Sequence, residues 1–146
     1  MGTLILNIVR GKMKFYIDGA YDFVDVRDVA DGMTFAAEKG KRGESYILSG
    51  EKITVRKLYS TIEEIIGRNE FHIRIPYTLA KLASLFTPMA GKITRTKTLF
   101  TSYSIAVLQS NSNISNNKAR KELGFNPRPI EESLKDAILW FKEAGV

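Results

Sequence analysis

Residues 22–40, DFVDVRDVADGMTFAAEKG, decide the fold, because they combine a short apolar strand, an acidic turn and a helix of small residues. Asp28 stands where an N-cap or an acid of the first helical turn belongs, and Gly40 suits the helix end. The apolar residues at helical spacing predict one buried face, formed by Val29, Met33, Ala36 and Ala37. The stretch therefore predicts a strand followed directly by a helix.

The segments on either side continue this alternation of strands and helices. TLILNIVRG (3–11) predicts a helix ending at Gly11, and KMKFYIDGAYDFVDV (12–26) predicts two strands around Asp18-Gly19, a dipeptide that favours a hairpin. ESYILSG (44–50) predicts a third strand. Thr54 can cap a helix that ends at Gly67.

The remaining segments predict one more strand and mainly helices. In FHIRIP (71–76), Phe71, Ile73 and Ile75 alternate with His72 and Arg74, which predicts a strand with the three apolar residues buried. Pro76 suits the start of a helix over 77–86. The later predictions are a loop over 87–98, a helix over 99–110, a helix over 116–124 capped by Ser115, and a final helix over 130–145 with Leu134, Ile138 and Phe141 on one face.

Composition bounds the class of protein. The chain has 146 residues, 44% hydrophobic and 26% charged, which is typical of one soluble globular domain. It has no cysteine, which excludes disulfides and thiolate chemistry and suits a reducing cytoplasm. The apolar run LILNIV is too short to span a bilayer, so we expect a cytoplasmic protein without a membrane partner. The net charge is +6, but the 22 Lys and Arg are scattered, so nucleic-acid binding is not indicated.

Three stretches together resemble a known family: FVDVRDVADGM, then GESYILSG, then KARKELGFNPRPIEESLKDAILWF. They are similar to the carboxyl-terminal half of the extended short-chain dehydrogenase/reductase superfamily, nearest to its dihydroflavonol-reductase-like NAD-dependent epimerase/dehydratases. The resemblance implies an α/β fold, a mainly helical small lobe with short strands. The order of the motifs is more specific than any one of them.

The resemblance implies a parent enzyme with two lobes, of which this chain matches the second. An NAD or NADP site needs a glycine-rich turn before a helix, yet G-x-G-x-x-G does not occur. We therefore expect residues 1–146 to form a single substrate-binding lobe without the N-terminal dinucleotide-binding domain and without a cofactor of its own. The parent reaction implied is NAD(P)-dependent oxidoreduction of a carbonyl or sugar-like substrate, and the chain alone is expected to lack catalysis.

Two patterns that could be catalytic are set aside. Tyr77 and Lys81 have the Y-x-x-x-K spacing of the family's catalytic pair, but that pair precedes the matched region, and any helix produces such spacing by chance. His72 is the only histidine and has no identifiable partner in the sequence. No catalytic residue, cofactor ligand or metal ligand is therefore predicted in this chain.

The candidates for contact with a substrate are polar and aromatic residues. Each of them can also be explained by an ordinary structural role. Asp25, Arg27 and Asp28 are either a strand end with a helix cap or a polar cluster beside the substrate. Guanidinium groups match carboxylates and phosphates, but solvated arginines are the commoner case. Aromatic residues can line a substrate cleft or fill a core. The further candidates are Arg95, Phe100, Tyr103 and Arg128.

Two partner questions remain open at this level. The segments TLILNIV and YDFVDV are too apolar for a fully wet surface, so we expect them to pack against the missing Rossmann half or in a homo-oligomer. The alternative to a reductase part is a stand-alone module that binds a small ligand or another protein without catalysis.

Overall fold

The computed structural model describes residues 2–84 and 113–145. Its elements, in chain order, are α1 (Gly2–Val9), β1 (Phe15–Ile17), β2 (Ala20–Phe23), α2 (Val26–Lys39), β3 (Glu51–Thr54), α3 (Val55–Ile66), β4 (Ile73–Ile75), α4 (Tyr77–Ser84), α5 (Asn117–Leu123) and α6 (Ile130–Glu143). The predicted α/β class, mainly helical with short strands, is confirmed. Because 85–112 are not among the described residues, the predictions of a loop over 87–98 and a helix over 99–110 lie outside them.

The backbone divides into two compact units. Among the described residues, unit 1 comprises 2–6, 22–53 and 113–145, and unit 2 comprises 7–21 and 54–84. The prediction of a single substrate-binding lobe over 1–146 stays a prediction.

The core of unit 1 lies between α2, the segment before β3 and α5. Ala119, Leu123 and Phe125 are fully buried there, and Phe35 and Leu48 pack against them. Gly32 permits this packing, because a Cβ atom at this position would lie 2.8 Å from Leu48. α6 buries Leu134 and Ile138, as its helical spacing predicts.

α2 begins and ends as predicted, but it buries a different face. Asp25 is the N-cap, Asp28 lies in the first turn, and the Gly40 N–H donates to Ala36 at the other end. The predicted face was wrong at Met33, which is 65% exposed, whereas Ala36 packs against the core and the fully buried residues are Asp28 and Gly32. The buried face of α2 is set by two contacts that the apolar pattern does not show. These are the buried carboxylate of Asp28 at the start of the helix and the close packing of Leu48 against Gly32.

The hairpin predicted at Asp18-Gly19 was also wrong. β1 pairs in parallel with β4, in the register Phe15↔Ile73 and Ile17↔Ile75, whereas β2 pairs with β3. A two-residue hairpin of the favoured type needs glycine at positive φ, and Gly19 does not adopt it. Its carbonyl instead accepts from the Val55 N–H at the start of α3.

The segment 44–50 is not a strand, contrary to prediction, and the strand β3 follows it instead. Side chains take the place of a strand partner there: the Gly50 N–H donates to Asp22, and the Asn116 amide donates to the Ser49 carbonyl at 2.7 Å. Tyr46 and Leu48 pack against the core of unit 1, whereas Ile47 between them is 57% exposed.

In unit 2, Ile17 and Ala80 form a small core against which Tyr77 and Ile75 pack, and α3 buries Leu58, Tyr59 and Ile62. The caps of α3 are as predicted, since Thr54 accepts from the Lys57 N–H and Gly67 has φ 68°. The prediction that Phe71, Ile73 and Ile75 in FHIRIP are buried was wrong for the first two, since Ile73 is 46% exposed and only Ile75 is partly buried. Phe71 is 83% exposed, whereas the His72 side chain is only 10% exposed.

α5 and α6 agree with prediction in position, with one change at the start of α5. Asn116, rather than Ser115, is the N-cap residue, and its side chain is used for contacts with Ser49 and Arg120. The Ser115 hydroxyl accepts from the Asn117 N–H at 3.4 Å, a weak version of the predicted cap.

Gly50 offers a test of the close approach between β2 and the start of β3. A Cβ atom there would lie 1.8 Å from the carbonyl oxygen of Phe23, and backbone cannot move away as a flexible side chain can. We expect Gly50→Ala to lower the free energy of unfolding by about 3 kcal/mol in urea denaturation. Gly43→Ala is the control, because it meets no atom within 4 Å and costs only the strain of φ 82°. Equal losses in the two variants would contradict the role assigned to Gly50.

Candidate functional site

The start of α2 carries two carboxylates with different partners. Asp25 is the N-cap, and one of its oxygens accepts from the Arg27 backbone N–H at 2.9 Å. Asp28 follows in the first turn, where the partial positive charge of the helix favours a carboxylate. Both side chains are more than nine-tenths buried, at 8% and 7% exposed. Buried carboxylates need partners, and each has one at or just before the start of α6: Ser133 for Asp25 and Arg128 for Asp28.

Asp25 is held by three groups. The Arg27 guanidinium donates to both of its oxygens, at 2.9 and 2.7 Å, and the Ser133 hydroxyl donates at 2.6 Å. Arg27 also forms an ion pair with Asp136 at 2.8 Å. The hydrogen bonds from Arg27, followed by that from Ser133, hold the pKa of Asp25 well below its usual range against the opposing effect of burial. Asp25 is therefore a permanently charged group and not a candidate for proton transfer near neutral pH.

Asp28 and Arg128 form the second pair. The Arg128 Nε donates to one carboxylate oxygen at 2.8 Å, and the Arg128 backbone N–H donates to the other at 2.9 Å. The hydrogen bond to Asp28 raises the pKa of Arg128, which keeps the guanidinium charged. The two residues are 100 positions apart in sequence, so this pair fixes the turn before α6 against the start of α2.

The structure thus brings together four of the predicted site residues: Asp25, Arg27, Asp28 and Arg128. Their charges are compensated by one another and by Ser133 and Asp136, so an anionic substrate would have to compete with these partners. This arrangement supports a positioning role for the cluster, while contact of any of these residues with a substrate stays a prediction. The other three candidates, Arg95, Phe100 and Tyr103, lie outside the described residues.

An apolar groove of about 370 Å³ lies beside this cluster in unit 1. Two polar side chains stand in its wall, Asp25 and Ser133, and they are hydrogen-bonded to each other. The apolar groove is otherwise formed chiefly by Ile5, Phe23, Val26, Leu134, Trp140 and Phe141.

The sequence did not single out Ser133, Asp136 or Trp140. Ser133 and Asp136 lie three residues apart on α6, a spacing that puts them on one helical face, but nothing in the sequence shows that this face meets Asp25 and Arg27. The exposed Trp140 resembles an ordinary residue of an amphipathic helix. The place of these residues beside the cluster or the groove is visible only from contacts between segments distant in sequence.

The patterns set aside in the sequence have ordinary surroundings. The His72 Nδ1 lies 3.2 Å from Glu63, and its ring packs edge-on against Tyr59, with centroids 4.6 Å apart. Burial raises the pKa of Tyr59 to about 12, so its hydroxyl remains protonated and donates to the Phe15 carbonyl. Tyr77 packs against the Ile17 and Ala80 core.

The described residues do not fit the pyrophosphate of a dinucleotide. Such a group needs free backbone N–H groups at a helix N-terminus, approached through glycines. The start of α2 instead holds two carboxylates that would repel a phosphate, and the start of α3 is capped by Thr54. In the described ranges, the glycines at positive φ are Gly11, Gly43, Gly67, Gly124 and Gly145, none of them directly before a helix. Nor do these ranges contain a group of His, Asp or Glu side chains arranged to hold a metal ion.

Comparisons with known proteins identify the class to which this arrangement belongs. Over its whole length the chain is 33% identical to sterol demethylase protein B of Methylococcus capsulatus, and 99% of it is 28% identical to a Synechocystis protein named for dihydroflavonol 4-reductase. It spans 45% and 43% of these relatives, which is less than half their length. No protein-family model matches the chain.

Solved structures give the same result. The fold matches the crystal structure of gox2253 with a TM-score of 0.78 at 32% identity, covering 99% of this chain and 44% of the other. A nucleoside-diphosphate-sugar epimerase from Pseudomonas aeruginosa matches with a TM-score of 0.72 at 26% identity, covering 99% and 42%. The enzyme WbmF of Bordetella bronchiseptica, solved with NADH, matches with a TM-score of 0.64 at 26% identity, covering 97% and 35%.

These matches define the class as the lobe shared by reductases and sugar-nucleotide epimerases. Over nearly its whole length the chain is similar to the carboxyl-terminal part of these proteins, as its resemblance to the extended short-chain dehydrogenase/reductase superfamily predicts. The resemblance noted in the sequence is thereby confirmed. None of the helices in the described ranges has the length and apolar character needed to cross a membrane.

The Asp28 and Arg128 pair can be tested with a double-mutant cycle. Asp28→Asn is expected to lower the free energy of unfolding by about 2 kcal/mol, because a buried charge-assisted hydrogen bond is lost. Arg128→Gln is expected to be destabilising as well, and the double variant should lose less than the sum of the two. Urea denaturation of the four proteins gives the measurement. Strict additivity would mean that the contact contributes nothing to stability.

The lowered pKa of Asp25 predicts a pH dependence of stability. A carboxylate whose pKa is depressed on folding stabilises the protein above its unfolded value of about 4, and this contribution is lost as the pH falls below it. Asp25→Asn, which keeps an N-cap side chain, should therefore be destabilised at pH 7, and its difference from wild type should narrow as the pH falls from about 5 to about 3. Asp31→Asn, which removes an exposed carboxylate from the same helix, controls for net charge. A difference that widens in acid would contradict the assignment.

Proposed function

We propose that this chain is the substrate-binding, carboxyl-terminal part of an NAD(P)-dependent reductase or epimerase of the dihydroflavonol-reductase-like type. The observation that carries the proposal is the extent of the match: nearly the whole chain aligns with less than half of each relative, at up to 33% identity. The relatives include proteins named as a reductase and as a sugar-nucleotide epimerase. A carbonyl or sugar-like small molecule is therefore the proposed substrate class.

The nicotinamide cofactor is proposed to bind to a nucleotide-binding part that precedes this lobe in the complete enzyme. Support comes from WbmF, which was solved with NADH, and from the poor fit of the described residues to a pyrophosphate. The contribution of this chain is then shape and positioning. The cluster around Asp25 and Asp28 would hold α2 and α6 in place beside the substrate, and Arg95, Phe100 and Tyr103 are proposed to line the cleft.

Two finer proposals complete the picture. A cysteine-free chain whose described helices include no membrane span suits the cytoplasm. Large apolar side chains remain exposed on unit 1, among them Val26 at 79% and Trp140 at 61%, which is consistent with a partner, whether the nucleotide-binding part or a second copy.

The test compares the isolated chain with a chimaera in which it replaces the corresponding carboxyl-terminal part of the Methylococcus capsulatus relative. Calorimetry should detect no NAD or NADP binding to the isolated chain, and binding of one of them to the chimaera. The chimaera should also oxidise reduced nicotinamide in the presence of a carbonyl substrate, followed by absorbance. Tyr77→Phe should leave that rate within about tenfold, because Tyr77 packs in a core and is not the general acid.

Three results would overturn the proposal or its details. Tight NAD or NADP binding by the isolated chain would make it a cofactor-binding part. A fall of about a thousandfold with Tyr77→Phe would make that tyrosine catalytic. A chimaera that binds the nucleotide but turns over no carbonyl or sugar-nucleotide substrate would favour the stand-alone binding module.

A further inference from the structure

The strand pair β1 and β4 in unit 2 has different surroundings on its two sides. Tyr16 and His72 lie on one side, where the ring of Tyr59 in α3 packs against both of them. Because side chains alternate along a strand, Phe15 and Ile73 lie on the other side, and these two residues are paired in the register. The ring of Tyr59 therefore covers one side of the pair only.

The other side is covered at one end and exposed at the other. Ile17 is only 3% exposed, because it packs against Ala80 of α4. Two residues earlier, Phe15 is 49% exposed, and its partner Ile73 is 46% exposed. Phe71, two residues before Ile73, is 83% exposed. Two phenyl rings and one aliphatic side chain are therefore exposed together where the strand pair begins.

The segments that lead into these strands bring basic residues to the same end of unit 2. Residues 9–15 and 68–73 run side by side, joined at one end by a hydrogen bond from Arg68 to the Val9 carbonyl and at the other by the register of the strands. Together they contain four bases and one acid, Glu70, which is a net charge of +3 with the histidine neutral. Half of the net charge of +6 therefore lies in less than a tenth of the chain.

Most of these bases have no acidic partner. Arg10, Lys12 and Lys14 are exposed, and none of them forms an ion pair with a carboxylate in the described part of the chain. Arg68 alone is paired, with Glu70 at 3.7 Å. The sequence did not reveal this concentration of charge, because its two segments are far apart along the chain.

Exposed apolar side chains beside unpaired bases are complementary to a membrane surface that carries anionic lipid. The headgroups of such a surface attract the bases, and its acyl boundary accepts aromatic and aliphatic side chains alike. A single-stranded nucleic acid would also be attracted by the charge, but it stacks successive bases on aromatic rings. Ile73 lies between Phe71 and Phe15 and interrupts such a row of rings. The mixture of side chains therefore favours lipid.

We propose that this end of unit 2 is a membrane-contact surface, at which Phe15, Phe71 and Ile73 enter the interface of an anionic bilayer and the unpaired bases contact its headgroups. A protein that lies on a membrane needs no spanning segment, so the short apolar runs of the sequence do not exclude this partner. The inference concerns unit 2 and is independent of the proposed function.

Sedimentation with sucrose-loaded vesicles tests the requirement for charge. The full chain is mixed with phosphatidylcholine vesicles that contain either no anionic lipid or about 30% phosphatidylserine. We expect binding to be about tenfold or more stronger on the anionic vesicles and to weaken as salt is added. Lys12→Gln/Lys14→Gln should weaken it by about tenfold or more. Lys121→Gln/Lys142→Gln removes the same charge from exposed positions of unit 1 and should change binding by less than about threefold.

Variants of the apolar side chains test insertion separately. Phe71→Ala should weaken binding by about fivefold or more, whereas Leu139→Ala, at a 55% exposed position of α6, should not. Urea denaturation checks that both variants keep the stability of the wild type. In Phe71→Trp/Trp140→Phe, brominated lipid in anionic vesicles should quench the tryptophan fluorescence. In the wild type, whose single tryptophan is Trp140, it should not.

Several results would overturn the membrane-contact surface. Equal binding to neutral and anionic vesicles, or equal losses in the two double lysine variants, would show that this end of unit 2 does not recognise anionic lipid. Quenching of Trp140 without quenching in the Phe71→Trp/Trp140→Phe variant would assign the contact to unit 1. Tighter binding to a single-stranded oligonucleotide than to anionic vesicles, at equal concentrations of negative charge, would assign the surface to nucleic acid. Absence of vesicle binding would also refute it and would leave the proposed function, which is read from the chimaera, unchanged.

Discussion

The hydrogen-bonded pair of Asp28 and Arg128 is the contact on which unit 1 depends. It joins the first turn of α2 to the turn before α6, across 100 residues of sequence, and uses both carboxylate oxygens. Neither charge would be tolerated alone in this partly buried place, so the pair forms only when both segments are in position. Asp25, Ser133, Arg27 and Asp136 extend the same connection one turn further along α6. The apolar groove exists because these polar contacts hold its two walls apart.

This arrangement separates the tasks of the charged residues from those of the apolar ones. The acids at the start of α2 look like reactive groups in the sequence, yet each is occupied by an internal partner, and the pKa of Asp25 is held too low for proton transfer. The concave surface beside these acids, the apolar groove, is lined chiefly by apolar side chains. A lobe of this kind supplies shape to an enzyme whose reactive groups lie elsewhere, which agrees with the part that we propose for it.

The local features of the fold could be predicted from sequence, because they depend on neighbouring residues. Thr54 and Gly67 bound α3, and Leu134 and Ile138 mark the buried face of α6, all from spacing and capping alone. Predictions failed where contacts between segments distant in sequence determine the structure. Asp18-Gly19 could not form its hairpin because β1 is paired with β4, and Met33 is outside because Asp28 and Gly32 are inside. The same limit applied to the site: Asp25 and Arg128 were candidates, but Ser133 and Asp136 gained meaning only through contacts that spacing does not reveal.

The discontinuity of unit 1 has a consequence for how the protein is made. Its described parts come from 2–6, 22–53 and 113–145, so its first residues leave the ribosome long before α6, which carries Ser133 and Asp136. During synthesis the apolar side chains of α1 and α2 remain exposed until the residues that they contact have been made. Contacts between segments so far apart in sequence also form slowly. Completion of unit 1 therefore waits until the segment 113–145 has been synthesised. In that interval the nascent chain is most exposed to aggregation and most dependent on chaperones.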